Sequence, residues 1–225
     1  ITNFTYNASG ADVVATAVSP SGTFTAVGSP AGRVARLQAD GSLDTSFATG
    51  SGADNLIFAV LLQSDQRVIV AGDFTTFNSA VRGRIARLNL DGSLDTSFDP
   101  GSGADNPVYA VIIQPSDGSV IIAGDFTSVN GVPRNRIARL TSSGTVDPTF
   151  VPSGGANGAV RSLGIDAAGR ILLSGDFTTV NGSAFSGIAR LNPDGSVDSS
   201  FNALGSGPNG RVRSLQIDPS GRIVI

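Results

Sequence analysis

Every carboxylate among the 225 residues of this chain is an Asp and every cation is an Arg, 18 against 15. Cys, His, Lys, Met, Trp and Glu are absent. That palette excludes disulfides, thiolate and imidazole metal sites, Ser-His-Asp and Cys-His catalysis, Schiff-base chemistry and a P-loop lysine. Hard-cation binding by oxygen, anion recognition by guanidinium, and Arg–Asp pairing remain. Three Asp share one motif, Gly-Asp-Phe-Thr, at Asp73, Asp125 and Asp176. They read either as a carboxylate ring for Ca²⁺ or as loop Asp accepting backbone N–H bonds where a strand ends. The second reading is the simpler, because no dense acidic cluster supplies the remaining oxygens.

A second constellation repeats four times. Arg36 precedes Asp44 across an Asp-Gly turn, and the pair returns as Arg87/Asp95, Arg139/Asp147 and Arg190/Asp198. These pairs read either as an anion-recognising ring of Arg or as ion pairs on adjacent strands within diagonal reach. Each pair is followed by Phe47, Phe98, Phe150 or Phe201. Those rings, with the Phe of Gly-Asp-Phe-Thr, read as core between repeats in preference to a sugar-stacking platform. The glycine-rich stretches 51–55 and 101–106 look like phosphate cradles but lack the helix and Lys that cradles use.

What positions these residues is a repeat. Gly41-Ser42-Leu43-Asp44-Thr45-Ser46-Phe47 returns three times, with its Phe spaced by 51, 52 and 51 residues. Arg-Ile-Ala-Arg-Leu (84–88, 136–140) and Ala-Gly-Asp-Phe-Thr (71–75, 123–127) keep the same step. Each unit reads as four short strands: an apolar opening strand, a turn, a β-branched strand such as Val120-Ile121-Ile122, the Arg-Ile-Ala-Arg-Leu strand, an Asp-Gly hairpin, and a last strand ending in Phe. A polar loop around Asn130-Gly131 or Asn181-Gly182 separates strands two and three. No segment holds a helical period. The expected fold is all-β: a β-propeller of four-stranded antiparallel blades.

The three motifs together resemble the delta-sixty repeat family, a set of bacterial propeller-like repeats, over nearly the whole chain. The resemblance implies a repeat scaffold of large secreted or surface bacterial proteins. It implies no catalytic residues.

The units run over about 13–47, 57–98, 108–150 and 160–201, with a fifth opening at 212–225. Residues 1–4 align with the last strand of a unit, so a single five-bladed domain over 1–225, closed by that strand, is expected. The third strand of the fifth blade is missing from the sequence. That reads as a piece of something longer, or as a place where another copy donates a strand. The first unit carries Val27-Gly28-Ser29-Pro30 in place of Gly-Asp-Phe-Thr, as atypical terminal repeats do.

A net charge of −3 and a pI near 4.8 argue against nucleic acid as a partner. The apolar runs are too short to span a membrane as a helix. Three Asn-x-Ser/Thr sequons stand at Asn3, Asn7 and Asn181. The function expected is a non-catalytic extracellular or cell-surface interaction module, with no cofactor, that binds protein, its own copies through strand donation included. A glycan-binding lectin-like propeller is the alternative, weakened by the lack of Trp and by only 2 Tyr. A calcium-dependent lactone hydrolase is a third, with Asp as its one plausible general base.

Overall fold

The computed structural model describes residues 12–18, 24–29, 33–150, 152, 154–201 and 207–225. The expected closing strand at 1–4, and two of the three sequons, lie outside them. The chain falls into two compact units, residues 1–103 and 104–225.

In the first unit, β1 (Asp12–Val18), β2 (Phe24–Ser29) and β3 (Arg33–Leu37) form one antiparallel sheet. A second is built from β4 (Ile57–Leu62), β5 (Val68–Gly72) and β8 (Ile85–Leu88), with the hairpin β6 (Thr76–Phe77) and β7 (Ala80–Val81) inserted before β8. The second unit repeats this plan. It contains β9 (Val108–Ile113), β10 (Val120–Gly124) and β13 (Ile137–Leu140), with the insert β11 (Ser128–Val129) and β12 (Val132–Pro133). Then follow β14 (Val160–Ile165), β15 (Ile171–Gly175) and β18 (Ile188–Leu191), with β16 (Thr179–Val180) and β17 (Ser183–Ala184). The pair β19 (Gln216–Ile217) and β20 (Ile223–Val224) comes last.

The β-branched strand is central in each sheet. Val120, Ile121, Ile122 and Ala123 are fully buried, as a continuous apolar run on both faces requires. Val120 faces Ile113 on one side and Leu140 on the other. The polar loop is more ordered than its composition suggests. Asn130 (φ 48°) and Gly131 (φ 73°) both adopt the left-handed conformation of a two-residue hairpin turn, and Asn181-Gly182 repeats it. The outer segment, in contrast, pairs with its neighbour at one position only, as in Leu37–Leu43 and Leu88–Leu94. One residue later Asp44 or Asp95 turns its carboxylate back onto the N–H of Ser46 or Ser97, at 3.0 and 2.9 Å, and the chain leaves the sheet.

The Ala-Gly-Asp step has a steric cause. The ladder between opening and central strands shifts there by one residue, and the Asp N–H donates to a carbonyl of the opening strand's approach: Asp73 to Leu56, Asp125 to Pro107 and Asp176 to Ala159, at 2.8–2.9 Å. A Cβ on Gly124 would lie 2.0 Å from the Pro107 carbonyl oxygen, and Gly72 and Gly175 are equally confined. Packing then joins successive repeats. Phe47 lies in one apolar cluster with Val68, Val70 and Phe74 of the following repeat, and Phe150 lies in another with Ile171, Leu173 and Phe177. Gly124→Ala is expected to lower the melting temperature by roughly 5 °C or more, since backbone must move to admit the methyl. Gly210→Ala, where a Cβ meets nothing within 4 Å, should shift it by less than about 2 °C.

Candidate functional site

The four Arg–Asp pairs are built alike. Arg36, Arg87, Arg139 and Arg190 donate through Nε to Oδ2 of Asp44, Asp95, Asp147 and Asp198 at 2.7, 2.7, 2.8 and 2.8 Å. Oδ1 of each Asp accepts the hydroxyl of Ser46, Ser97, Thr149 or Ser200 at 2.6–2.7 Å. Each guanidinium lies over the Phe that ends its own repeat: 4.8 Å from Phe47, 4.9 Å from Phe98, 5.0 Å from Phe150 and 4.8 Å from Phe201. Arg36 and Arg139 also donate from Nη1 to a carbonyl of the next repeat's turn, Leu90 at 2.7 Å and Pro193 at 2.8 Å. One planar cation thus binds a carboxylate, a ring and the following repeat, which Lys geometry cannot do.

These contacts keep the carboxylates ionised. The Ser46 hydroxyl, then Arg36, holds Asp44 below the ordinary value, and Ser200, assisted by Arg190, brings Asp198 to about 2. Burial pushes Asp95 and Asp147 up, but hydrogen bonds from Ser97 and Thr149 and from the Arg partners outweigh it.

The Gly-Asp-Phe-Thr carboxylates do not cap backbone. Asp73 pairs with Arg84 at 3.3 Å and Asp125 with Arg136 at 3.5 Å. Capping falls to residues of the glycine-rich stretches. Asp54 and Asp105 each accept two successive backbone N–H groups, from Thr75 and Thr76 and from Thr127 and Ser128. Asn157 does the same for Thr178 and Thr179. Burial raises Asp105, yet the bonds from Thr127 and Ser128 bring it to about 2. Among the described residues no three potential metal ligands converge. The sequon residue Asn181 is held within the fold: its Oδ1 accepts Gly155 N–H at 3.0 Å and its Nδ2 donates to the Gly195 carbonyl at 3.1 Å.

One departure from the repeat changes the ion pairing. The residue that is Arg84 or Arg136 elsewhere is Gly187 in the fourth repeat, and all three adopt φ of 68–69°. Asp176 therefore lacks its usual partner and takes another, Arg161 on β14, through Nε at 3.0 Å and Nη2 at 2.5 Å. The positions equivalent to Arg161 hold Phe58 and Tyr109, and then Arg213 in the last repeat. Arg161 lies 5.2 Å from the Tyr109 ring centroid, and Arg211 Nε approaches Asp176 Oδ1 at 3.8 Å. Arg161 first, with Arg211 and Arg213 behind it, holds the Asp176 carboxyl below its ordinary value against burial. Sequence reasoning that searched for sameness missed this cluster. The visible signal was Gly187 for Arg coupled to Arg161 for an aromatic.

The family model described as a domain of unknown function (DUF5122) beta-propeller matches residues 21–47, 63–98, 116–150 and 169–201, each segment ending on a repeated Phe. The chain belongs to this family. Its sheets are the blades of a β-propeller. No curated protein matches the sequence. Among solved structures, the chain is similar to the extracellular domain of BT4673 from B. thetaiotaomicron (TM-score 0.60, 16% identity, 94% of this chain and 25% of that one). It is likewise similar to a catalytically inactive virginiamycin B lyase from Staphylococcus aureus with quinupristin (0.60, 18%, 98% and 64%). XC5397, a gluconolactonase from Xanthomonas campestris, is a third such structure (0.56, 16%, 92% and 65%). The chain spans a quarter of the first of these and just under two thirds of the other two. At such identities the shared property is the fold.

Truncating Asp95, which is buried with Arg87, leaves a buried guanidinium without its counter-charge. Asp95→Ala should cost about 3–5 kcal/mol in urea unfolding. Asp65→Ala, removing a 3.5 Å contact between exposed side chains and a 3.1 Å bond from the Arg67 N–H in an exposed turn, should cost about 1 kcal/mol or less. Because the carboxylates that shift do so downward, their stabilisation is complete above the unfolded value of about 4 and is lost as pH falls toward about 2. The melting temperature should therefore be level from neutral pH to about 5 and drop below about 4. Asp105→Asn, which copies Asn157, should soften that drop while leaving the neutral-pH melting temperature little changed.

Proposed function

We propose that this propeller is a non-catalytic structural and interaction module of a larger extracellular protein, presenting its loops to a protein partner. One observation carries the reading: the chemically capable side chains that recur in every repeat are engaged in holding the fold. The Arg–Asp pairs sit on Phe rings and hydroxyls, and the capping Asp serve backbone N–H groups. A general base for catalysis near neutral pH needs a carboxyl raised toward 6–7, and each shifted Asp moves the other way. The delta-sixty resemblance and the likeness to an extracellular domain support the placement outside the cell.

The neighbouring gluconolactonase sets the competing possibility. Incubating the purified chain with gluconolactone, with and without Ca²⁺, should give hydrolysis at the buffer rate. Turnover above buffer that disappears in Asp176→Asn would overturn the non-catalytic reading.

A further inference from the structure

Arg161, Arg211 and Arg213 line a cavity of about 220 Å³ in the second unit. We propose that this cavity binds the oxyanion of a small anionic ligand: a carboxylate, sulfate or phosphate group. The inference goes beyond the scaffold reading and stands on geometry that the other repeats lack.

Charge comes first. Three guanidinium groups surround the cavity and face the Asp176 carboxylate, with Asp125 also acting on Arg161, so positive charge predominates. Arg161 is fixed: its Nε and Nη2 both engage Asp176 Oδ2, and its plane lies by the Tyr109 ring. That arrangement occupies one edge of the fork and leaves Nη1 for another acceptor. Arg211 is mostly exposed and stands off Asp176 at 3.8 Å, beyond hydrogen-bonding distance. Arg213 is exposed and makes no hydrogen bond or ion pair with any described residue. Two forks and one remaining edge therefore converge on one space, the donor set that planar or tetrahedral oxyanions fit.

The repeat supplies the second argument. In the second and third repeats the equivalent strand position is aromatic (Phe58, Tyr109), and the Asp is ion-paired within its own repeat with Arg84 or Arg136. In the fourth, loss of that Arg to Gly187 and gain of Arg161 move a cation from the third strand to the opening strand. The fifth adds Arg213 at the same position. Packing demands neither change, since the rings and their Arg partners work in two repeats. A space of about 220 Å³ is smaller than the roughly 300–1,000 Å³ of drug-sized pockets, and so admits one anionic group with a small carrier.

The test uses the whole chain in isothermal titration at low ionic strength, with sodium sulfate, sodium phosphate and sodium glucuronate as separate probes and sodium chloride matching ionic strength. Saturable binding at one site per chain is expected with at least one probe. Affinity should fall at least tenfold in Arg213→Ala and in Arg213→Tyr, the latter restoring the ring of the third repeat. Arg67→Ala should bind as the parent does. Sulfate or phosphate binding would assign recognition to the oxyanion itself, and binding of glucuronate alone would assign part of it to the sugar carrier; both support the proposal. Absence of saturable binding with all three probes, or parental affinity in both Arg213 variants, would overturn it. Both variants should keep the parental melting temperature, because Arg213 is exposed and makes no hydrogen bond or ion pair with a described residue.

Discussion

The structure depends on one guanidinium used several ways at once. In each repeat an Arg on the third strand holds an Asp eight residues on and covers the Phe that closes the repeat. Arg36 and Arg139 also reach a turn carbonyl of the following repeat. A buried ion pair alone is weak evidence for stability, because desolvation offsets much of its attraction. Here the remaining donors find hydroxyl and carbonyl acceptors and the apolar face of the cation finds a ring, so little is left unsatisfied. The cost of the motif falls on sequence freedom: Arg, Asp, Ser or Thr, and Phe must all be kept together, and four times over they are.

The architecture was legible because packing imposes a period. Central strands such as Val120–Gly124 announce themselves as unbroken apolar runs, and the 51- and 52-residue steps of the Phe gave the unit. The Arg–Asp pairs could be assigned partners because an Asp-Gly turn fixes which residues oppose each other. Two features were not legible. Whether the outer segment continues as a strand depends on a competition between ladder hydrogen bonds and a carboxylate folding back on its own turn, which composition does not decide. The backbone cap expected of Asp73 falls to Asp54 for a related reason. Both are short acids near strand ends, and only tertiary position determines which meets a backbone N–H and which meets Arg84.

The arginine cavity was obscured by the same regularity that revealed the fold. A repeat read for its consensus treats Gly187 and Arg161 as noise, although the two departures are physically coupled: removing one partner of Asp176 requires supplying another. Scaffold and site are in this sense complementary. Identical positions report what holds the blades, and paired exceptions report where the chain departs from holding.

The brevity of the outer segment bears on how such a chain survives synthesis. Repeats of near-identical sequence, laid end to end, risk exchanging strands with one another and growing as fibrils along open sheet margins. A margin that contacts its neighbour through one residue and then curls under its own carboxylate offers no long row of free amides for a misplaced copy to read. The Asp that steadies the guanidinium thus also ends the outer pairing, which shortens the margin a misplaced copy could read.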